Sequence, residues 1–106
     1  MPTFVLLTRL SPEAIQEPAQ IEELGKKVAE KLKIECPEVR WISSYSILGP
    51  YDYLDLFEAP SADAAAKVAI IVRSFGHATT EIWTAEPWER FVGIAKEMRQ
   101  TAKSRH

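Results

Sequence analysis

Four strand-like runs in this 106-residue chain carry apolar side chains on both faces. Side chains alternate across a strand, so a sheet wet on one side shows a polar residue at every second position. The first run, Thr3 to Arg9, breaks that rule: Phe4 and Leu6 point one way, Val5 and Leu7 the other. In the second, Val39 to Leu48, Trp41, Tyr45 and Ile47 oppose Ile42 and Leu48. In the third, Tyr51 to Glu58, Tyr51, Tyr53 and Phe57 oppose Leu54 and Leu56. The fourth, Ala78 to Thr84, is mixed, with Ile82 and Trp83 opposed among threonines. A sheet built from these runs needs cover on both sides.

The intervening segments supply cover for one side. Residues 11 to 18 read as a loop or a single helical turn, because Pro18 breaks any longer helix there. Ile21, Leu24, Val28 and Leu32 then recur at helical spacing. Opposite charges four residues apart (Glu22 and Lys26, Glu23 and Lys27, Lys26 and Glu30) support a solvated outer face. That helix must end before Pro37. Gly49-Pro50 turns the second strand into the third, which predicts an antiparallel hairpin. Ser61 is placed to cap an alanine-rich helix over 62–75, with Asp63 in its first turn and Gly76 ending it in a left-handed conformation. Pro87 opens a last helix that runs to about Lys103, with Trp88, Phe91, Val92, Ala95 and Met98 on one side. The order predicts an α+β, ferredoxin-like βαββαβ fold with a four-stranded antiparallel sheet and an extra C-terminal helix over about 87–103. The length suits a single domain over residues 1–106, within the usual size of ~100–150 residues.

Two helices on one face leave the other bare. An apolar face of that size marks an interface. A second copy of the same sheet, related by a two-fold axis, covers it most simply. The pattern therefore predicts a homodimer packed sheet to sheet, a dimeric α/β barrel. The C-terminal helix either folds back over the open face of its own chain or wraps onto the partner's sheet; its pattern suits both.

Charge narrows the partners. Lys plus Arg number 13 against 15 Asp plus Glu, a net charge of −2, and no basic stripe interleaves with aromatics. That balance argues against nucleic acid and against an anionic membrane surface. No apolar run approaches the ~20 residues that span a bilayer. The single Cys36 cannot form an internal disulfide and reads as a small apolar filler, so a cytoplasmic, reducing setting is expected. No motif calls for a metal or cofactor, and none is expected.

The segment GPYDYLDLFEAPS holds the candidate chemistry. Asp52 and Glu58 sit near its strand's ends, where a turn-supporting acceptor and a solvated side chain are ordinary. Asp55 sits mid-strand between Tyr53 and Phe57, and a two-residue turn at Gly49-Pro50 places Ser44 and Ser46 across from Asp55 and Tyr53. A buried carboxylate must be hydrogen-bonded, ion-paired or protonated. Ser44, Arg9 and Arg40 are the candidate partners; a pocket floor is the sharper alternative. Trp41, Tyr53, Asp55, His77 and Trp83 are the residue types of a small-molecule pocket. A cofactor-independent oxygenase or isomerase would instead use His77 as base with Asp55 or Tyr53 assisting. The plain alternative for His77 is the first residue past a helix end. Pro2, freed by methionine removal, would present the amine base of a tautomerase. A purely structural role, with the dimer as scaffold, is the third reading.

MPTFVLLTRLSPEA and GPYDYLDLFEAPSADAAAKVA, continued through Phe75-Gly76 and TTEIWTAEP, resemble the GYD domain family. The Gly-x-Tyr-Asp segment of that family is matched here by Gly49, Pro50, Tyr51 and Asp52. The resemblance spans residues 1 to 92; the passage KIECPEVRWISSYS departs from it, and the tail beyond is an extension. It implies a ferredoxin-like fold of the dimeric α/β-barrel kind and carries over no catalytic residue.

Overall fold

Strand β1 (Thr3–Leu10) is followed by a short 3-10 turn (Pro12–Ile15) and helix α1 (Pro18–Glu35). Strands β2 (Arg40–Ser46) and β3 (Tyr53–Glu58) then form a hairpin. Helix α2 (Ala62–Ser74), strand β4 (Ala78–Ala85) and helix α3 (Trp88–Ser104) complete the chain. The computed structural model describes residues 1–15, 18–76 and 78–104, so His77 lies outside the described residues. The four strands pair antiparallel in the order β2-β3-β1-β4, which is the ferredoxin-like arrangement.

Local chemistry explains most boundaries. Ser61 caps α2, its hydroxyl accepting from the Ala64 N–H at 3.2 Å. Gly76 takes φ 78°, a conformation that glycine adopts without strain. The segment before Pro18 holds a single 3-10 turn, and Pro18 itself opens α1: a first helical residue needs no N–H partner, and proline's fixed φ suits the position.

The hairpin keeps the expected register, with Ser46 opposite Tyr53 and Ser44 opposite Asp55. Its ladder stops earlier than expected, at the bond from the Ile47 N–H to the Asp52 carbonyl (3.0 Å). Asp52 ties this loop to β1. Its N–H donates to the Thr8 carbonyl at 2.8 Å, and its carboxylate accepts from the Leu10 N–H at 2.7 Å. The aspartate of the Gly-x-Tyr-Asp segment is thus a structural clasp. Glu58, at the other end of the strand, pairs with Arg40 at 3.0 Å.

One expectation about β2 is corrected. Strict alternation put Trp41 on the face of Tyr45. A bulge between Trp41 and Ser43 leaves Ile42 unpaired and pairs Trp41 with Phe57. Trp41 therefore joins the helix-covered face. There Phe4, Phe57 and Trp41 stack in a row across three strands, with centroids 5.6 and 5.5 Å apart. Phe57 is fully buried, worth roughly 1.5–3 kcal/mol relative to exposure. From α2, Ala64, Ala65, Val68, Ile71 and Val72 close the core around Phe4, Leu6 and Phe57.

The opposite face carries two apolar rows: Tyr45, Leu54 and Leu7, and Leu56, Val5 and Trp83. Tyr45 and Trp83 are 54% and 53% exposed. The third helix does not fold back over them. Trp88, Phe91, Ile94 and Met98 of α3 stay exposed, and the molecule extends to 64 × 30 × 18 Å.

Candidate functional site

α1 has an apolar face, yet none of its residues is fully buried. Val28 and Leu32 reach the edge of the core, and the Lys31 ammonium lies 5.8 Å from the Phe75 ring at the end of α2. Elsewhere the helix stands off the sheet. The gap is a cleft of about 900 Å³. Ile21, Leu24, Val28 and Leu32 form its helical wall. Leu6, Thr8, Trp41, Ser44, Tyr53 and Asp55 form its floor on the sheet. Cys36, Val72 and Phe75 line it as well.

Asp55 is the polar centre of this floor. The β1–β3 and β2–β3 registers set it between Leu6 and Ser44. Ser44, its cross-strand partner, accepts from the Trp41 indole N–H at 2.8 Å. Burial pushes the Asp55 carboxyl above its ordinary value, and the Ser44 bond partly opposes that rise. Arg40, weighed as a partner for Asp55, pairs with Glu58 instead. Arg9 sits on the opposite face of the sheet, since β1 alternates from Leu6. Among the described residues, no Lys or Arg forms an ion pair with Asp55.

Tyr53 shares this face, two residues along β3. Burial raises its phenol, and the negative charges of Asp52 and then Asp55 add to the rise. The Cys36 thiol is buried, free and likewise raised, chiefly by burial, with Glu38 adding to it. It stays a protonated, small apolar wall residue. Among the described residues, no group of three or more His, Cys, Asp or Glu side chains is placed to hold a metal ion.

Of the residues singled out from the sequence, Trp41, Tyr53 and Asp55 come together in the cleft. Trp83 does not. It pairs with Val5 on the open face, because its neighbour Ile82 takes the helix side. Pro2 lies outside the cleft, at the foot of β1, its carbonyl accepting from the Ala59 N–H at 3.1 Å. His77 falls on a residue outside those described. Nothing in the sequence marks α1 as a wall of this cleft. Its spacing signals an amphipathic helix, and that signal is the same for a helix seated on a sheet and one raised above it.

The architecture is that of a ferredoxin-like α+β domain, and the comparisons agree. The chain belongs to the GYD domain family, whose profile matches residues 4–95. It is 31% identical over 87 residues to the Thermus thermophilus protein named "glutamine synthetase and cystathionine beta-lyase binding protein"; the match covers 82% of this chain and 90% of that one. A solved structure from Thermus thermophilus superposes with a TM-score of 0.58 at 22% identity, covering 82% of this chain and 95% of that one. The leucine response regulatory protein of Mycobacterium tuberculosis gives a TM-score of 0.52 at 19% identity over 81% of this chain and 51% of that one. These two structural likenesses establish the fold alone. No described helix is long and apolar enough to cross a membrane.

Proposed function

We propose that this GYD-family chain is a cytoplasmic homodimeric binding protein that holds a small, largely apolar molecule in the cleft between α1 and the sheet. One observation carries the reading: a raised α1 leaves an apolar gap of about 900 Å³ with a single carboxyl at its floor. Ligand sites are typically concave, ~300–1,000 Å³ and mostly apolar, with a few placed polar groups. Here those groups are Asp55, held by Ser44, and Tyr53. The open face supports the dimer, since Tyr45 and Trp83 in its two apolar rows stay about half exposed in the single chain.

A second reading draws on the relative named for binding two enzymes. In it the exposed apolar side of α3, with Trp88 and Phe91 stacked at 5.5 Å, serves a protein partner. A catalytic role would fall on Asp55 with Tyr53. A tautomerase-type role draws no support from Pro2, which lies away from the cleft.

The test is native mass spectrometry of purified protein, paired with sedimentation at micromolar concentration. The expected species has twice the 12.0 kDa chain mass and releases a small molecule on denaturation. A folded, soluble monomer would sink the dimer. A protein that releases nothing, and whose melting temperature no hydrophobic ligand moves, would sink the cleft as a binding site.

A further inference from the structure

We infer that the cleft selects lipophilic amines: molecules with an apolar body that lies between α1 and the sheet and an ammonium that pairs with the Asp55 carboxylate. The inference rests on the cleft being a binding site, as proposed above, and adds the class of ligand.

Three features point to a cation. The α1 wall is aliphatic where it faces the sheet, through Ile21, Leu24, Val28 and Leu32. An apolar body is therefore required, and this wall offers it no hydrogen bond. Asp55 is the acidic residue of the lining, and it has no cationic partner among the described residues. Lys33, the basic residue of the lining, is exposed.

The third feature is the hydrogen bond beside Asp55. The Ser44 hydroxyl accepts from the Trp41 indole, and the β2–β3 register sets Ser44 opposite Asp55. The carboxylate keeps acceptor capacity for a ligand, since an ionised carboxylate offers about four lone-pair sites. Asp55 is half-buried and partly stripped of water, so a bound ammonium recovers part of what burial removed. An alcohol makes a weaker bond to the same oxygen. A carboxylate ligand brings like charges together in a poorly hydrated place.

The experiment is calorimetric titration of the purified 106-residue chain with 2-(1-naphthyl)ethylamine, 2-(1-naphthyl)ethanol and 1-naphthylacetate. The three share an aromatic body and differ in charge. A charged bond exceeds a neutral one by enough to predict amine binding roughly tenfold tighter than alcohol binding, with the carboxylate weakest. The Trp41 indole N–H resonance shifts on amine binding, because its acceptor Ser44 lies opposite Asp55 in the β2–β3 ladder. Asp55→Asn brings the amine and alcohol affinities together, chiefly by weakening the amine, because only the charged bond is lost.

If the alcohol binds wild-type protein as tightly as the amine, the amine inference falls and the cleft reading stands. If none of the three binds and the Trp41 resonance stays still, both fall. Leu24→Trp guards against Asp55→Asn failing to fold. It fills the cleft from the α1 side with Asp55 untouched, and it is expected to abolish binding of all three. Amine binding that survives Leu24→Trp places the ligand elsewhere and overturns the proposal.

Discussion

α2 and α1 cover the same face of one sheet, and they meet it differently. α2 sends Ala64, Ala65, Val68, Ile71 and Val72 into full burial; α1 buries no residue completely. Side-chain size accounts for much of this. Alanines let the α2 backbone approach the strands, and its few larger residues then interlock with Phe4, Leu6 and Phe57. α1 carries Ile21, Leu24, Val28 and Leu32 and spans a gap instead of filling it. α2 is further tied to β4 through Arg73, whose guanidinium donates to the Thr80 hydroxyl and carbonyl, both at 2.8 Å. The lesson is a division of labour. One helix holds the domain together, and the other walls a cleft.

This contrast is open to direct attack. The largest effect belongs to α2. Ile71→Ala leaves a cavity in a close-packed core and is expected to lower stability by ~2–5 kcal/mol in urea denaturation. A loss under about 1 kcal/mol would show that α2 is not the seated helix.

A smaller, pH-dependent change is expected at Asp55, on the raised side. Its folded-state pKa lies above the ordinary value of 3.8, chiefly through burial. Stability linked to its protonated form is therefore present below pH 3.8 and lost as pH rises through the raised value. Asp55→Asn, which is never charged, should melt higher than wild type at pH 7. The gain should shrink to nothing below about pH 3.8 in thermal melts. A gain of equal size at both pH values would mean that the charge of Asp55 is not what burial penalises.

The smallest effect is expected on the α1 wall. Leu24→Ala removes the same class of side chain as Ile71→Ala, yet it is expected to cost less than about 1 kcal/mol in ligand-free protein, because Leu24 borders a gap. If Leu24→Ala costs as much as Ile71→Ala, α1 is seated on the sheet in solution and the cleft is closed.

Much of this architecture was readable from local chemistry. The Ser61 cap and the glycine at 76 each act through one residue's own geometry, so the sequence displays them; Pro87 precedes α3 by one residue instead of opening it. The hairpin register was readable too, because Gly49-Pro50 fixes the count from the turn to Asp55 and Ser44. Asp55 stood out for a physical reason: a mid-strand carboxylate flanked by aromatics on its own face needs a partner. Trp41 was misplaced because a bulge leaves no residue signature here, and a slip of one position flips a side chain to the other face. Trp83 was grouped with the pocket by residue type, whereas facing separates it from Asp55. The stand-off of α1 was illegible because helical periodicity reports which side is apolar, not how far that side lies from its neighbour.

The phase slip in β2 has a consequence for how such chains vary in length. Arg40 and Trp41 obey the alternation of the unslipped half of the strand, and Ile42 is the surplus position between that half and the rest. A chain lacking this one residue would run a regular ladder there. It would keep the aromatic row, the Arg40–Glu58 pair and the outward tyrosine where they are. This point on the edge strand is therefore where a single-residue gain or loss leaves both sides of the sheet unaltered.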